Sequence, residues 1–293
     1  MSSDAASVTP VDLSLGRALF DPRNARLKLY DIGAPDLLKL AQGGDAAQDD
    51  RVTKIIVYAA SGDGAGWEAL GLRREAVIRG FHADGSDAVL WSGFVAEARG
   101  VDQLHDEHER IVNAAKSRGL REPSLPQGYS FGCATEGDAG DLAALLQAVF
   151  SDYPSSLEEG HLRGLVRSGA SFFVTARDET GSLVATMSAE IDMAHRSAEM
   201  TDCATRPDHR GRGLMPSLLA VLEHEVPLRC GIHDFYTIAR ADAPAVNVVF
   251  ARLGYEFTGR LVNNCRMPNG WESMNVWCKR ASTDRVTESG SQA

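Results

Sequence analysis

The sequence is poor in cysteine, in positive charge and in long apolar runs, and each shortage excludes a class of protein. Five scattered cysteines with no Cys-x-x-Cys pair argue against a disulfide framework and for reduced thiols in the cytosol. Lys and Arg number 30 against 40 Asp and Glu, and the resulting net charge of -10 argues against a nucleic acid partner. No segment resembles a signal peptide or a membrane span, so we expect a cytoplasmic protein without membrane contact.

One segment, residues 198–214, combines a strand, a glycine-rich loop and the start of a helix. Gly211 and Gly213 remove the Cβ atoms that would block close approach to the backbone. Arg210 and Arg212 supply positive charge in the same loop. The helix that follows points its free N–H groups and the positive end of its dipole at the same place. The segment therefore predicts a binding site for a pyrophosphate.

The elements around this loop occur in the order strand, loop, helix, strand, helix, strand, strand. The helix after the loop has leucines on one side and acidic residues on the other, and we expect it to end at Pro227. Gly254 suits a left-handed cap at the end of the second helix. The remaining predicted elements are helices over 136–150, 158–167 and 243–253 and strands over 172–176, 183–191, 235–239, 260–265 and 273–278. Together they predict one domain over 129–280.

The arginine and glycine order of the loop resembles the acyl-CoA pyrophosphate loop of the GCN5-related N-acetyltransferase (GNAT) superfamily, whose usual pattern is Gln/Arg-x-x-Gly-x-Gly/Ala. Arg210 and Gly213 fit this pattern. Met215, followed by Pro216, stands where the superfamily prefers Gly or Ala. The resemblance implies an α/β (α+β) mixed-sheet fold, acetyl-CoA as co-substrate and no metal.

Five further segments together are similar to the β-lysine N6-acetyltransferase family. These segments are 198–202, 236–240, 253–255, 261–264 and 272–277. The resemblance implies that the chain acetylates the terminal amine of β-lysine, a small diamino acid, to make a compatible solute for osmotic adaptation. After Tyr153-Pro154 the family continues with an aromatic residue and a proline, whereas this chain has Ser155-Ser156-Leu157. The exact amine acceptor therefore stays open, as does the oligomeric state, with a homodimer as one option.

The resemblance also implies the cofactor contacts. In the superfamily the strand that precedes the loop splays near its end, so the backbone near residues 202–205 would bond the pantetheine arm. The residues assigned in this way to the cofactor are Cys203, Ala204, Thr205, Arg210, Gly211, Arg212, Gly213, Leu214, Met215, Asn247 and Phe250.

The predicted catalytic residues are Glu199, Asp202 and Tyr236. Strand alternation puts Glu199 and Asp202 on opposite faces, so only one of the two carboxylates is expected to face the acceptor. Superfamily members often carry a glutamate base on this strand, which favours Glu199, although Asp202 lies nearer the splay. Phe250 replaces the tyrosine acid of many members, so either Tyr236 or solvent would protonate the CoA thiolate.

Five residues are candidates for binding the acceptor: Tyr153, Asn263, Asn264, Glu272 and Asn275. Glu272 would bind a substrate ammonium group, and the asparagines would hydrogen-bond a carboxylate or an amine. Because Phe250, Met215 and Pro216 depart from the commonest catalytic pattern, a module that binds acyl-CoA without turnover is the alternative function.

The N-terminal part repeats the pattern of 235–278. Its predicted elements are strands over 53–59, 74–78 and 88–92 and a helix over 66–70. Aligning 70–72 with 253–255 brings these elements into register, which indicates a degenerate half-GNAT without a phosphate loop. We expect an N-terminal domain over 16–98 that packs on the catalytic domain or helps close the acceptor site. A helix and linker over 99–128 and disordered tails over 1–15 and 281–293 complete the predicted organisation.

Overall fold

The computed structural model describes residues 9–13, 16–43, 52–153 and 155–280. Within these ranges the strands are Thr9–Leu13 (β1), Gly16–Asp21 (β2), Arg26–Tyr30 (β3), Lys54–Ala60 (β4), Arg73–Ile78 (β5), Ala88–Phe94 (β6), Tyr129–Cys133 (β7), Ser171–Asp178 (β8), Leu183–Asp192 (β9), Ser197–Thr205 (β10), Asp234–Arg240 (β11), Glu256–Met267 (β12) and Gly270–Arg280 (β13). The α-helices are Ala34–Gly43 (α1), Gly64–Ala69 (α2), His105–Lys116 (α3), Ala139–Val149 (α4), Glu159–Ser168 (α5), Leu214–Cys230 (α6) and Pro244–Arg252 (α7).

The strands form two mixed sheets. The N-terminal sheet has the order β1-β2-β3-β4-β6-β5, and the C-terminal sheet has the order β12-β13-β11-β10-β9-β8-β7. Each sheet contains one parallel pair among the described strands, β3 with β4 and β10 with β11. These results confirm the mixed-sheet α/β fold expected from the sequence.

The N-terminal sheet repeats part of the C-terminal one. The series β2-β3-α1-β4-α2-β5-β6 has the same order and strand directions as β9-β10-α6-β11-α7-β12-β13. The repeat therefore begins earlier than the sequence pattern showed, because β2, β3 and α1 also take part. Residues 31–33 connect β3 to α1, whereas residues 206–213 connect β10 to α6. The short N-terminal connection explains why this half has no phosphate loop.

The two sheets share a core. Helices α3, α6 and α7 pack on one face of the C-terminal sheet. On its other face, α4 and α5 cover part of the sheet, and the N-terminal sheet covers another part through residues such as Tyr30, Tyr58, Leu261 and Val276. At Gly259 a Cβ atom would lie 2.2 Å from the carbonyl oxygen of Glu75, so the approach of β12 to β5 requires glycine. This contact sets how closely the two sheets approach each other at β12 and β5.

Two local predictions need correction. Helix α6 continues past Pro227 to Cys230, because buried Leu222 and Val226 hold this turn against the sheet, and left-handed Gly231 then ends it. Residues 9–13, expected in a disordered tail, form β1 because they pair with β2; the rest of that tail and residues 281–293 lie outside the described residues. In the described part of the chain, no helix is long and apolar enough to cross a membrane.

Candidate active site

A β-bulge in β10 rearranges the predicted catalytic strand. Before the bulge, Ala198 and Met200 face the core under α6, and Glu199 faces the opposite side. The register with β9 shifts between Thr201 and Ala204, and Asp202 adopts a φ of 51°. Beyond the shift, Ala204 packs on the face away from α6. The bulge reverses the alternation, so the prediction that only one carboxylate can face the acceptor side is wrong.

Hydrogen bonds show directly where the Asp202 carboxylate lies. Ser188 Oγ donates to Asp202 Oδ2 at 2.5 Å, and the Tyr153 hydroxyl donates to Asp202 Oδ1. Ser188 is two residues from Glu190 on β9, and Glu190 is paired with Glu199 on β10. Because residues two apart on a strand share a face, Asp202 lies on the same side as both glutamates. The structure thus brings Tyr153, Glu199 and Asp202 together.

Three carboxylates therefore line one face of the β9–β10 hairpin, at Glu190, Glu199 and Asp202. Loss of water contact raises the pKa of each of these carboxyls. The negative charges of Glu199 and Asp202 raise the pKa of Glu190 further. The Glu190 side chain is the most exposed of the three, because Glu199 and Asp202 are half-buried. Sequence reasoning missed Glu190, although pairing the two strands as a hairpin would have placed it opposite Glu199.

Strand β3 of the N-terminal sheet supplies positive charge to the cleft beside these carboxylates. Lys28 lowers the pKa of both Glu190 and Glu199, opposing the effect of burial. Among the described residues Lys28 forms no ion pair within 4.0 Å, so a gap separates its ammonium from these carboxylates. Neighbouring Arg26 is instead held by Asp21, with Nε 2.8 Å from Oδ2. Among the described residues of this region, Lys28 is therefore a cation without an ion-pair partner, close to the carboxylates of Glu190 and Glu199.

Tyr236 stands beside Glu199 in the parallel β10–β11 register. Its hydroxyl lies close enough to Glu199 to lower the pKa of that carboxyl. Burial and the nearby Glu199 charge raise the pKa of Tyr236 well above its usual value. Tyr236 packs against Tyr58 and Phe81 in the core shared by the sheets. It is therefore a neutral, buried neighbour of Glu199.

The end of β10 has the opening expected of a cofactor channel. Pairing with β11 stops after Ala198–Phe235 and Glu199–Tyr236, and the two strands then separate. Residues 201–205 keep their pairing with β9 at the ends of the bulge but lack a partner on the β11 side. Their free backbone groups are available to a ligand that enters between the strands.

The loop before α6 fits a pyrophosphate. Gly211 and Gly213 have φ values of 75° and 82°, and a Cβ atom on either would meet nothing within 4 Å. Arg210 Nε donates to the carbonyl of Thr205 at 3.2 Å, and Arg212 Nη1 donates to the Tyr129 hydroxyl at 3.1 Å. Both guanidinium groups are anchored at the loop while remaining exposed. Open glycine backbone, two arginines and a helix N-terminus together suit a doubly charged phosphate group.

The remaining cofactor candidates make mainly packing contacts with their side chains. Cys203 packs against the core beneath α6, and burial raises the pKa of its thiol to about 12. Ala204, Leu214 and Phe250 are buried, and Met215 packs partly against the same core as Cys203. Their side chains are occupied by core packing, so contact with a ligand would have to come from the backbone.

Asn247 does not face the cofactor channel as expected. Its Nδ2 donates to the carbonyls of Arg240 and Ala243 at 2.9 and 2.8 Å, and its Oδ1 accepts from Asn275 and Trp277. Both Asn247 and Asn275 are fully buried. The Asn247 amide makes all of these hydrogen bonds within the protein, and Asn275 donates one of them. The structure therefore assigns both residues to the fold rather than to a ligand.

Two of the other predicted acceptor residues, Glu272 and Asn263, also have partners elsewhere. Glu272 forms a two-point ion pair with Arg240, with Oε2 2.7 Å from Nε. Asn263 donates to the carbonyls of Arg99 and Val101 at 3.0 and 2.9 Å. Asn264 is buried beside Cys265. The structure therefore does not bring these side chains into the cleft with Glu199; Pro154, beside Tyr153, lies outside the described residues.

Comparison with known proteins identifies the family of the chain. The acetyltransferase (GNAT) family profile matches residues 141–255. A β-lysine N6-acetyltransferase of Methanosarcina mazei is 35% identical over 256 residues, covering 80% of this chain and 93% of the relative. The N-acetyltransferase YodP of Bacillus subtilis is 30% identical over 238 residues, covering 80% and 85%. A solved spermidine N-acetyltransferase of Vibrio cholerae, in complex with CoA and spermine, covers 53% of this chain and 96% of its own at 17% identity and a TM-score of 0.46. The chain belongs to the β-lysine N6-acetyltransferase family of GNAT enzymes and is an N-acetyltransferase.

Proposed function

We propose that this enzyme transfers an acetyl group from acetyl-CoA to the terminal amine of β-lysine. The observation that carries the proposal is the pair Glu190 and Glu199 facing Lys28 across a gap. A diamino acid carries two ammonium groups and one carboxylate, so its charges complement this arrangement. A plain diamine would leave Lys28 without a partner in the cleft, which is unfavourable for a half-buried cation.

Acetyl-CoA supplies the activated acetyl thioester when it is bound. The arginine and glycine loop at 210–213 would hold its pyrophosphate, and the free edge of residues 201–205 would bond its pantetheine arm. This placement puts the end of the channel at the bulge, next to Asp202 and Glu199. The family membership of the chain and the open loop glycines support this assignment.

Glu199 is the proposed general base. It accepts a proton from the substrate ammonium and so frees the nitrogen lone pair for direct attack on the thioester carbonyl carbon. The C–N bond forms, the C–S bond breaks with CoA leaving as the thiolate, and the nitrogen gives its second proton to solvent. The Tyr236 hydroxyl, which neighbours Glu199 in the strand register, favours the charged form of that carboxyl. Asp202 is less suited to this role, since both of its oxygens already accept hydrogen bonds from Ser188 and Tyr153. Solvent protonates the CoA thiolate, because Tyr236 is buried in the core shared by the two sheets.

The other charged groups orient the acceptor. Glu190, the most exposed carboxylate, pairs with the second ammonium, and Lys28 pairs with the substrate carboxylate. The product keeps one positive and one negative charge. A neutral zwitterion of this kind suits a compatible solute.

The test is thiol release from acetyl-CoA by the purified full chain with β-lysine, α-lysine, ornithine and simple diamines. We expect selective turnover of β-lysine and N6-acetyl-β-lysine in the mass spectrum. Glu199→Gln serves as the matched control for the background rate. Faster turnover of diamines than of any diamino acid would overturn the acceptor assignment, and acetyl-CoA binding without turnover on any amine would support the non-catalytic alternative.

A further inference from the structure

A second cluster of polar side chains lies outside the acetyl transfer site, where the two sheets meet. Asp31 follows β3, His82 follows β5, and His195 lies in the turn between β9 and β10. One potential ligand atom from each residue lies within 4.8 Å of the other two. Because these residues come from distant parts of the chain, no local sequence motif predicts the cluster.

His195 is oriented as a ligand would be. Its Nδ1 lies 2.9 Å from Asp192 Oδ2, and its Nε2 lies 3.2 Å from both carboxylate oxygens of Asp31. Metal-binding histidines commonly donate one ring N–H to a carboxylate, which leaves the other nitrogen for the ion. Phe81 stacks on the His195 ring with centroids 4.7 Å apart and holds its plane.

The His82 ring is a second observation that points to a bound ion. Its Nε2 is buried and has no hydrogen-bond partner among the described residues. The His82 and His195 rings face each other edge to face, with centroids 5.9 Å apart. An unpaired buried ring nitrogen costs free energy, so its presence calls for a partner that the protein itself does not supply.

We propose that Asp31, His82 and His195 bind a divalent transition-metal ion of the zinc class, with water completing the coordination. Two imidazoles and one carboxylate favour such an ion over calcium or magnesium, which prefer oxygen ligands. Asp31 and Asp192 bring two negative charges, of which Arg17 neutralises one through its contact with Asp192 at 3.0 Å. The three ligand atoms, which lie within 4.8 Å of one another, must move closer together to bond one ion.

The ion acts as a clamp between the cleft walls. Asp31 directly follows the strand that carries Lys28, and His195 lies in the hairpin whose strands carry Glu190 and Glu199. Joining these elements fixes the separation between the cationic and anionic walls. The acetyl transfer chemistry itself does not use the ion, so the clamp affects stability and acceptor binding rather than the chemical step.

The test is titration of the full chain, without an affinity tag, with Zn²⁺ alone by calorimetry, and with Co²⁺ by visible absorption. We expect one ion per chain and a rise in Tm with Zn²⁺. His82→Ala keeps the hydrogen bonds of His195. It should weaken Zn²⁺ binding at least tenfold, because even the loss of a residue that only hydrogen-bonds to a metal ligand has an effect of that order. His161→Ala removes an exposed histidine on α5 and should leave the affinity unchanged.

A second variant keeps the test decisive if His82→Ala does not fold. Asp31→Asn keeps the size of an exposed side chain and should weaken Zn²⁺ binding to a similar degree. If the wild type binds no ion, or if both variants bind Zn²⁺ as tightly as His161→Ala does, the proposal is overturned. The cluster is then only an ion pair between a protonated His195 and its two aspartates.

Discussion

Glu190 and Glu199 lie directly opposite each other in the antiparallel β9–β10 pair. Like charges in this position destabilise a sheet and raise the pKa of one another. A protein that keeps such a pair in a cleft, with Lys28 across a gap, is suited to bind a cationic group between them. The pair is thus the structural basis for the predictions on activity that follow.

Replacing Glu199 by Gln should lower kcat/KM for the amine by about 10²–10⁴-fold, the usual contribution of a general base. The Kd of acetyl-CoA should not change, since the cofactor contacts lie in the loop and on the backbone. Steady-state kinetics and calorimetry measure the two quantities. Asp202→Asn is the matched comparison and should cost less. An equal or larger loss in Asp202→Asn would transfer the role of base to Asp202.

The pH profile should reflect the raised pKa of Glu199. A protonated Glu199 cannot accept the substrate proton, so kcat/KM should fall on the acid side at a pH above the usual glutamate pKa of about 4.3. Asp202→Asn removes a negative charge that raises the pKa of Glu199 and should move this acid limb to lower pH. Glu272→Gln should leave the limb in place. A limb that does not move in Asp202→Asn would show that the charge of Asp202 does not act on Glu199.

Lys28→Met tests recognition of the acceptor carboxylate. Loss of a charged hydrogen bond worth about 1.5–3 kcal/mol should raise KM for β-lysine by about 10–100-fold. The KM of a diamine without a carboxylate should stay the same or fall. Lys116→Met, on the exposed side of α3, is the control. Equal losses on both classes of acceptor would mean that Lys28 supports the fold of the cleft instead.

Asn247→Ala should destabilise the protein without weakening cofactor binding. The change leaves the Trp277 Nε1–H and the Asn275 amide without their buried acceptor, at a cost of about 2–4 kcal/mol in the free energy of unfolding. Urea unfolding measures this loss, and calorimetry on the folded protein measures the Kd of acetyl-CoA. Exposed Asn113→Ala should have little effect on either quantity. A raised Kd with unchanged stability would restore Asn247 as a cofactor contact.

The sequence by itself determined the features that depend on neighbouring residues. The phosphate loop, the start of α6, most of the strands and the order shared by the two halves follow from glycine positions and apolar periodicity within short windows. The family resemblance of the C-terminal half depends on the same local segments. Glu199, Tyr153 and Tyr236 were predicted in this way, and the structure does bring them together.

Only the tertiary structure decided which side chains meet in the cleft. The bulge turned Asp202 onto the face of Glu199, strand register put Glu190 opposite Glu199, and a separate sheet supplied Lys28. Asn247 and Glu272 were predicted as ligand contacts, but long-range partners had already taken their polar atoms. The physical reason is that register, bulges and sheet packing are set by contacts between residues far apart in the chain, which no local pattern records.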